Sequence, residues 1–409
     1  MIRPGRERAP QRKRAVGPGH DAEVAKLGDI AGEAGLHRVS ILAWRDLDDP
    51  EAGGSEVHAA NVAALWAEAG IEVTMRTSYA ANHPMVSWRD GYRVIRKAGR
   101  YLVFPRAAFS EVMGWHGGRD GLVEIWNGMP FFSPLWARTT HVTWLHHVHA
   151  EMWRMTLPPR LAALGNFIES RIAPPLYRHT PIVTLSESSK QELVRDLKFR
   201  PDQVAVVPPG IDPQFTPGAA KSDTPLVVAV GRLVPVKRYD MLIDALVALK
   251  PRHPALQAVI VGEGYCRSDL EAQIRAARAD DWISLPGRID DEEVIDLYRR
   301  AWVLSMASSR EGWGMIVTEA AACGTPAVVT RVPGFVDAVV EGRTGLLGDN
   351  RDELVEGLHA VLADDELRAR LATGAREYAT RFTWEATARG TLEVLAQAAI
   401  RRRAGTPRS

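Results

Sequence analysis

The sequence predicts an α/β protein with two Rossmann-like domains whose parallel sheets face an interdomain cleft. Short apolar segments alternate with helical or loop stretches from Val39 to Leu185, and a second alternating series runs from Leu226 to Leu347. Strands that alternate with helices favour parallel sheets. Between the two series, residues 206–225 contain five prolines and two glycines, which is the composition of a linker. Two such domains in series imply a cleft between them, a favoured position for ligands.

The chain divides into five predicted segments. Residues 1–36 are rich in Arg, Gly and Pro and lack periodicity, so we expect a disordered basic extension. Residues 37–205 form the N-terminal domain, 206–225 the linker and 226–385 the C-terminal domain. Residues 386–409 form a C-terminal helix and a basic tail. The hydrophobic pattern alone does not assign the last helices to either domain.

Composition and charge narrow the classes of protein. The 409 residues include 51 Lys plus Arg and 50 Asp plus Glu, so the net charge of the chain does not indicate nucleic-acid binding. The cysteines, Cys266 and Cys323, are too few for a disulfide framework or a metal cluster and favour a reducing cytoplasm. The sequence contains no run of 18 apolar residues, so no membrane span is predicted. The basic start is not followed by the apolar region of a secretory signal.

The most specific motif is a pair of glutamates, Glu311 and Glu319, with seven residues between them. Residues Trp302–Met306 resemble a buried strand, and Ile316–Ala322 resemble the body of a helix. A turn that leads from a strand into a helix presents backbone N–H groups to an anion. Two carboxylates beside such a site suit hydroxyl groups on either side of a diphosphate. The motif therefore predicts a nucleotide-sugar site.

Two cations and a glycine follow the first strand of the second domain. Gly231 and Arg232 leave the strand, and Lys237 follows in the same turn. The carboxyl edge of a parallel sheet is where ligands bind in such folds. Arg offers a planar fork of donors and Lys a compact charge, and both suit phosphate oxygens. We predict that this turn holds the phosphates.

The helix entry between the two glutamates contains Gly312, Trp313 and Gly314. Glycines there allow close approach of the backbone, and the amides of Gly314 and Met315 are expected to meet a diphosphate. An ordinary strand-to-helix turn, common in α/β proteins, is the alternative.

The first domain offers weaker signals. Gly53 and Gly54 precede a predicted helix, and they either admit phosphates or an acceptor near the backbone or form a plain flexible loop. His146, His147 and His149 lie at a predicted strand end. Because no carboxylate or Cys partner has recognisable ligand spacing, we predict no metal site and favour one histidine contacting a sugar.

The chain resembles the bacterial family 4 retaining glycosyltransferases, which have the GT-B fold. The resemblance covers roughly residues 39–390 in the order of the family's motifs, which are AGGSEVHAANVAALWAEAGIEV, WLHH, VVPPGIDP, GRLVPVKRYDMLIDAL, VGEG, SSREGWGMIVTEAAACGTPAV and EGRTGLL. It implies a metal-independent, retaining hexosyltransferase without a cofactor. The donor would be a nucleoside-diphosphate sugar of the UDP-glucose or GDP-mannose type. The acceptor would be a hydroxyl of a glycan, a glycolipid or a small molecule, held by the N-terminal domain.

The resemblance also implies roles for the residues of the second domain. Arg232 and Lys237 would hold the diphosphate, and Glu319 would hold the ribose hydroxyls. Glu311 would hold the hydroxyls of the donor sugar with help from the backbone after Trp313. Front-face attack, with the cations stabilising the departing diphosphate, is the mechanism that these roles suggest.

Two residues of the first domain complete the implied site, and two positions depart from the family. His146 matches the sugar-contacting histidine, and Gly54 matches the glycine near the phosphates. Trp313 replaces the usual Phe, a tolerable aromatic exchange. The loop VPGFVDAVVEG lacks the family's common Gly-Gly-x-Pro-Glu motif, so the identity of the donor sugar is less well specified by the sequence.

A second acidic motif resembles a metal site of another class of sugar transferases. Asp46 and Asp48 form an Asp-x-Asp, the pattern that holds Mn²⁺ or Mg²⁺ in that class. They stand beside Asp49 and Pro50 after the first predicted strand. We therefore expect a solvated acidic loop rather than a metal site.

Other functions share this fold and stay open. A non-enzymatic nucleotide-sugar-binding protein and a nucleotide-sugar epimerase or phosphorylase are two alternatives. A dehydrogenase is a third, although Gly262 and Gly264 lack the third glycine of the dinucleotide fingerprint at Arg267. The basic residues at both ends of the chain are expected to be solvated tails, with contact to an anionic membrane surface as the alternative. Trp115 is expected to be an exposed tryptophan.

Overall fold

The computed structural model describes residues 16–115, 117–218 and 220–405. They form two compact units. The first unit comprises the residues up to Thr184, Lys190–Gly210 and the residues from Trp384 onward. The second comprises Leu185–Ser189 and Ile211–Thr383. Each unit contains its own sheet, so the predicted α/β class with two parallel sheets is confirmed.

In the described part of the chain, the sheet of the first unit has eight strands in the order β3-β4-β2-β1-β5-β6-β7-β8. Neighbouring strands are parallel except the antiparallel pair β3 and β4. The central strands are buried on both faces, which explains their continuous apolar runs. The strands are β1 Arg38–Leu42, β2 Glu72–Ser78, β3 Val86–Arg89, β4 Tyr92–Ala98, β5 Gly121–Ile125, β6 Thr140–Trp144, β7 Ile182–Thr184 and β8 Val204–Val206.

Helices surround this sheet. They are α1 His20–Ala34, α2 Gly54–Glu68, α3 Val103–Val112, α4 Ser133–Trp136, α5 Met152–Thr156, α6 Pro159–Phe167, a π-helical turn Ile168–Ile172, α7 Ala173–Tyr177, α8 Glu187–Asp196, a 3-10 turn Pro201–Gln203 and the final helix α16 Trp384–Arg403. The last helix packs against α1, α2 and β6. The buried indole of Trp66 donates to the Ala388 carbonyl at 2.9 Å. The C-terminal helix is therefore an integral part of the first unit.

The expectation that residues 1–36 are disordered is wrong for residues 20–34, which form α1. Leu27 and Ala31 lie one turn apart and are buried, which gives the helix a narrow apolar stripe. His20 at its start contacts Glu68 of α2 at 2.9 Å and Glu385 of α16 at 2.8 Å. The stripe is short and set among charged residues and glycines, which hides it from a periodicity search. Residues 1–15 lie outside the described part.

The second unit has a six-stranded sheet within the described residues, in the order β11-β10-β9-β12-β13-β14, and all pairings are parallel. Its strands are β9 Leu226–Val230, β10 Gln257–Val261, β11 Ile283–Gly287, β12 Val303–Met306, β13 Ala327–Thr330 and β14 Gly345–Gly348. Its helices are a 3-10 turn Pro235–Lys237, α9 Tyr239–Leu249, α10 Arg267–Ala276, α11 Asp291–Arg300, α12 Met315–Ala322, α13 Phe335–Ala338, α14 Arg351–Ala363 and α15 Asp365–Ala379. Their apolar faces and the strands share one core.

The boundary between the units falls inside the predicted linker, between Gly210 and Ile211. Ile211 belongs to the second unit, where its amide donates to the Phe382 carbonyl at 3.1 Å. The second unit ends at Thr383, close to the predicted boundary at residue 385. The strand β8 just before the linker was not expected from the pattern, because three residues carry too little periodicity.

Candidate active site

Glycines let two loops approach each other at the carboxyl edge of the second sheet. Gly231 follows β9 with φ 151°, and Gly262 follows β10 with φ 146°. A Cβ on Gly262 would lie 1.9 Å from the Gly231 carbonyl oxygen, and one on Gly264 would lie 2.2 Å from that of Leu233. Gly262 and Gly264, which the sequence offered only as an incomplete dinucleotide fingerprint, therefore allow the Gly231 turn to fold against its neighbour.

The structure brings Lys237 and Glu311 together, as the sequence predicted for one site. Lys237 ends the 3-10 turn after β9, and its Nζ lies 2.5 Å from Oε1 of Glu311 in the turn after β12. The Ser308 hydroxyl donates to the same carboxylate oxygen at 2.7 Å. The Lys237 and Glu311 side chains are 19% and 12% exposed, so the ion pair is held firmly and still reaches the surface.

Arg232 lies in the same loop as Lys237, directly after β9, and is partly exposed. The amide of the next residue, Leu233, donates to the Glu263 carbonyl at 2.9 Å, which ties the start of this loop to the loop after β10. The predicted phosphate ligands thus stand on one loop at one edge of one sheet. Their contact with a phosphate stays a prediction.

The turn that carries Glu311 leads into α12 through Gly312, Trp313 and Gly314. Gly314 has φ 101°, and a Cβ there would lie 2.6 Å from the Phe335 ring. The Trp313 indole is buried and packs edge-on against Phe382, with ring centroids 5.0 Å apart. Because the indole faces the core, Trp313 offers a ligand its backbone only. Met315 begins α12, so the amides of this turn stand at a helix N-terminus.

Glu319 lies on α12, one turn after its start. The hydroxyl of Tyr298 donates to Glu319 at 3.4 Å. Burial raises the pKa of Glu319 to about 7, and the hydrogen bond from Tyr298 opposes this shift. A carboxyl group that is so poorly solvated gains from hydroxyl donors, which fits the predicted contact with ribose hydroxyls.

Sequence reasoning missed a second set of residues on the same turn. The hydroxyls of Ser186 and Ser189 reach the Gly312 carbonyl at 3.0 and 3.3 Å. These serines belong to the segment Leu185–Ser189, which follows β7 and clusters with the second unit. Their signal in the sequence is only a run of small polar residues after a short strand.

The first unit places its two predicted residues at the ends of different elements. Gly54 begins α2, and the amide of the preceding Gly53 donates to the Glu56 carboxylate at 2.8 Å. His146 follows β6 and is 4% exposed. Among the described residues, neither of its ring nitrogens has a hydrogen-bond partner. Burial, helped by the charge of His147, lowers the pKa of His146 to about 3, so the imidazole is neutral.

His58 of α2 is a partner of His146 that the sequence did not reveal. The two rings meet edge-on with centroids 4.9 Å apart, and His58 also contacts Trp144 at 4.9 Å. Burial lowers the pKa of His58 well below its ordinary value, and the neighbouring imidazole of His146 adds to the shift. Two neutral imidazoles therefore lie in contact inside the first unit.

A buried glutamate holds the backbone at His149, one of the other two histidines of the cluster. The carboxylate of Glu169, in the π-helical turn, accepts from the amides of His149 and Ala150 at 2.8 and 3.1 Å and from the Trp153 indole at 2.9 Å. The rings of His147 and His149 stack with centroids 5.0 Å apart. Within the described residues, no three His, Cys, Asp or Glu side chains are arranged to hold a metal ion.

The expectation that Asp46 and Asp48 form a solvated loop is wrong. Both carboxylates accept hydrogen bonds from Arg89 and Arg96, and the Arg96 side chain is fully buried. Asp46 is 2% exposed. The two arginines come from β3 and β4, so this Asp-x-Asp joins the end of β1 to the edge of the sheet.

Comparison with known proteins identifies the class. The family model for glycosyl transferases group 1 matches residues 211–378, and the model for glycosyltransferase family 4 matches residues 52–215. Sucrose-phosphate synthase from Thermosynechococcus elongatus has a similar structure, with a TM-score of 0.76 and 20% identity over 90% of this chain and 100% of that chain. HepE from Anabaena in complex with UDP and glucose aligns with a TM-score of 0.69 and 17% identity, over 88% of this chain and 100% of that one. The protein therefore has the fold of a GT-B glycosyltransferase.

A relative in sequence fixes the family. The D-inositol 3-phosphate glycosyltransferase of Streptomyces bingchenggensis is 30% identical over 400 residues, which cover 85% of each chain. The chain belongs to the family 4 glycosyltransferases. None of its described helices is long and apolar enough to cross a membrane.

Proposed function

We propose that the protein moves a hexose from a nucleoside-diphosphate sugar to an acceptor hydroxyl, with retention at the anomeric carbon and without a metal ion. The observation that carries the proposal is the 2.5 Å contact between Lys237 and Glu311 at the entrance to α12. It joins a cation suited to phosphate and a carboxylate suited to sugar hydroxyls in a chain of this family.

The chemistry follows from where charge develops. The bond between the anomeric carbon and the diphosphate oxygen breaks, and the departing diphosphate gains negative charge. Lys237 and Arg232 are proposed to stabilise that charge, as preorganised cations do in phosphate-leaving reactions. The acceptor oxygen bonds to the same face of the anomeric carbon, and its proton passes to a departing phosphate oxygen. Retention then needs no protein nucleophile.

The other predicted residues take positions along the donor. Glu319, whose pKa burial raises to about 7, is proposed to accept from the ribose hydroxyls. The amides of Trp313 to Met315 stand at the start of α12 and are proposed to meet the sugar and the diphosphate. His146 and Gly54 are proposed to contact the sugar and the phosphates. Substitution of His146 by Ala, with loss of transfer and retained nucleotide binding, tests the first of these.

The donor and the acceptor are open to a direct screen. UDP, GDP, UDP-glucose and GDP-mannose are tested for thermal stabilisation, since a ligand at 100 times its Kd adds about 2.7 kcal/mol. The working donor is then offered acceptors that include D-inositol 3-phosphate, which the name of the Streptomyces relative supports. An α-linked product from an α-linked donor supports retention, and full activity in excess EDTA supports metal independence. An inverted product or loss of activity in EDTA contradicts the respective part.

Two alternatives predict different products. A nucleotide-sugar epimerase or phosphorylase consumes the donor without a separate acceptor hydroxyl. A non-enzymatic binder is stabilised by the donor and leaves it intact. Chromatography that resolves epimeric sugar nucleotides, combined with mass analysis of donor and acceptor after incubation, separates these functions.

We propose that the protein acts in the cytoplasm and contacts an anionic membrane through α3 rather than through its basic ends. Trp115 is exposed, as predicted, and it belongs to an apolar surface around this helix. The side chains of that surface are 45–72% exposed and are Tyr101, Leu102, Phe109, Val112, Met113 and Trp115. Apolar faces of this kind bury into the boundary between headgroups and acyl chains.

Positive charge beside this surface favours an anionic bilayer as its partner. Arg76 is buried, with 4% of its surface exposed. A guanidinium nitrogen of Arg76 lies 3.6 Å from a carboxylate oxygen of Glu111. Arg119 holds the same carboxylate at 2.5 Å. Burial lowers the pKa of Arg76, Glu111 opposes the shift, and the charges of Arg106, Arg119 and Arg93 add to it. The Glu111 carboxylate thus contacts two arginines, and the exposed Arg106 of α3 is proposed to meet lipid phosphates.

Vesicle sedimentation tests this contact. The variant Phe109→Ser/Trp115→Ser is expected to lose binding to vesicles of phosphatidylglycerol and phosphatidylcholine. The matched control Leu164→Ser/Phe167→Ser removes two equally exposed side chains of α6 and is expected to bind like the parent protein. Equal loss in both variants, or binding that does not depend on phosphatidylglycerol, contradicts the assignment to α3.

A further inference from the structure

Two buried serines converge on one backbone carbonyl of the candidate active site. The hydroxyls of Ser186 and Ser189 lie 3.0 and 3.3 Å from the Gly312 oxygen and 2.8 Å from each other. Ser186 is 0% exposed and Ser189 1%. Gly312 directly follows Glu311, so the carbonyl belongs to the peptide between the sugar-binding glutamate and the start of α12.

The start of α8 holds these hydroxyls in place. Ser186 caps the helix, because its hydroxyl accepts from the Ser189 amide at 3.1 Å. The amides of Glu187 and Ser188 donate to the Asp337 carboxylate at 3.0 and 3.3 Å. Asp337 therefore satisfies helix N–H groups that lack an intrahelical partner. The serines are fixed by a helix start and not by a flexible loop.

Gly334 holds the same peptide from another side. Its amide donates to the Ser188 hydroxyl at 2.8 Å. A Cβ on Gly334 would lie 2.7 Å from the Trp313 nitrogen and 2.9 Å from the Gly312 carbonyl carbon. Because it would be nearly equidistant from both atoms of the peptide bond, Gly334 packs on the face of that peptide. Gly334 and Asp337 both belong to the loop VPGFVDAVVEG, the loop that departs from the family's sequence motif.

The geometry of the peptide bond then fixes the direction of one donor. A trans peptide is planar, and its C=O and N–H point in opposite directions. The Gly312 oxygen points to the two serines, so the Trp313 N–H points away from them. Glu311, on the other side of Gly312, is held by Lys237 and Ser308. The Glu311 carboxylate, an acceptor, and the Trp313 amide, a donor, are thereby set at fixed positions two residues apart in the sequence.

We propose that Ser186 and Ser189 are positioning residues that aim the Trp313 amide at a hydroxyl of the transferred sugar. The proposal deepens the proposed function and rests on it. The serines act on the donor only through the Gly312–Trp313 peptide. Without them the peptide can rotate, and the amide no longer meets the sugar in a single orientation. The nucleoside diphosphate, which has no sugar at this position, does not use this amide.

The experiment compares ligands with and without the sugar. UDP and UDP-glucose are the probes, replaced by GDP and GDP-mannose if the donor screen selects those. The variants are Ser186→Ala and Ser189→Ala, with Ser189→Thr as the conservative variant that keeps a hydroxyl. Ser305→Ala is the matched control, since its buried hydroxyl also donates to a backbone carbonyl, that of Val328 at 2.9 Å, outside the turn.

Each alanine variant is expected to weaken UDP-glucose binding by about three- to tenfold, the usual worth of one neutral hydrogen bond, and to leave UDP binding unchanged. Ser189→Thr is expected to restore the affinity for UDP-glucose. The control is expected to leave the ratio of the two affinities unchanged. Equal weakening of UDP and UDP-glucose, or a control that shifts the ratio as much as the variants do, overturns the proposal and indicates a merely structural role.

Failure of the proposed function gives a different result. If the parent protein binds none of the four probes and transfers no sugar, the function is wrong and the comparison of variants has no baseline. If the parent protein binds both UDP and UDP-glucose and the alanine variants keep their ratio of affinities, the function stands and the positioning role is wrong.

Discussion

Two groups of paired charges, one in each unit, use similar residues for different ends. In the second unit, Lys237 and Glu311 form an ion pair whose side chains are 19% and 12% exposed. In the first unit, Arg96 donates to both Asp46 and Asp48, and its side chain has no exposed surface. Both groups stand after strands of parallel sheets. In the Lys237–Glu311 pair both partners keep some exposed surface, whereas Arg96 and Asp46 are buried and only Asp48 of their group is partly exposed.

The difference shows why a motif of acidic residues does not identify a site by itself. The carboxylates of Asp46 and Asp48 are committed to arginines from neighbouring strands, so they hold the sheet edge together. Glu311 is held by one lysine and one serine, and it stays at the surface of the turn. Removal of the partner of a buried charge lowers the stability of the fold strongly, whereas a charge that keeps some exposed surface is screened by water. We therefore expect the Lys237–Glu311 pair to govern activity, and the group of Arg96, Asp46 and Asp48 to govern stability.

The largest effect is expected from the ion pair of the second unit. Glu311→Gln or Lys237→Met should each lower kcat/KM by about a thousandfold, the upper range for loss of one preorganised group. The thermal midpoint should change little, because the pair is partly solvated. Product formation and thermal unfolding measured on the same preparations check this. A variant with turnover near that of the parent protein would remove the residue from the proposed site.

The reverse pattern is expected from the first unit. Arg96→Met removes one of the two arginines that hold the buried Asp46 and the partly exposed Asp48, and it should cost about 3–5 kcal/mol of stability. In a chain of this size that corresponds to a fall in the thermal midpoint of roughly 10 °C. Arg200→Ala, which breaks the exposed contact with Asp202, is the control and should cost less than about 1 kcal/mol. Comparable losses in the two variants would contradict the assignment of Arg96 to structure.

Glu319 extends the comparison to a carboxyl group whose contact is a tyrosine. Its pKa is raised to about 7 from 4.5, so its contribution to stability is full below pH 4.5 and is lost as the pH rises through 7. Glu319→Gln should therefore gain stability over the parent protein at pH 8, on the order of 2 kcal/mol, and little at pH 5. Thermal midpoints of both proteins across that range check the sign. A constant difference between them would show that Glu319 does not titrate there.

The smallest effect is expected where a histidine stands between two glutamates. Burial lowers the pKa of His20, but its hydrogen bonds with Glu385 and Glu68 outweigh burial and raise the pKa above 6.5. The contribution of these contacts is full below pH 6.5 and is lost as the pH rises through the raised value. His20→Gln should be less stable than the parent protein by about 1 kcal/mol at pH 6, and the difference should shrink by pH 9. A difference that grows with pH would contradict the arrangement.

Much of the second unit was predictable because its signals are local. The strands Leu226–Val230 and Val303–Met306 lie where short apolar runs with clear ends predict them, the second beginning one residue after the predicted Trp302. Lys237 and Glu311 were expected in one site because both follow strands of one parallel sheet. Their direct contact was not, because a side chain's partner across the sheet leaves no mark on spacing.

The missed features depend on contacts between distant parts of the chain. Ser186 reaches Gly312 across 126 positions, and Arg96 reaches Asp46 across 50. His58 lies on a helix whose other residues give no reason to single it out. Helix α1 was missed because its apolar stripe makes sense only against α16, at the other end of the chain. Local periodicity carries no information about such pairs.

The place of α16 in the first unit has a consequence for the order in which the protein is made. Helices α1 and α2 precede the second unit in the chain, yet α16, which covers them, follows that unit and leaves the ribosome after it. Synthesis of the intervening residues 211–383 takes roughly ten to forty seconds at ordinary rates, and in that time the second unit can fold as one continuous segment. Until α16 has been synthesised, Trp66 and its neighbours in the first unit stay uncovered. The nascent chain therefore exposes its N-terminal half to chaperones for longer than the half that follows it.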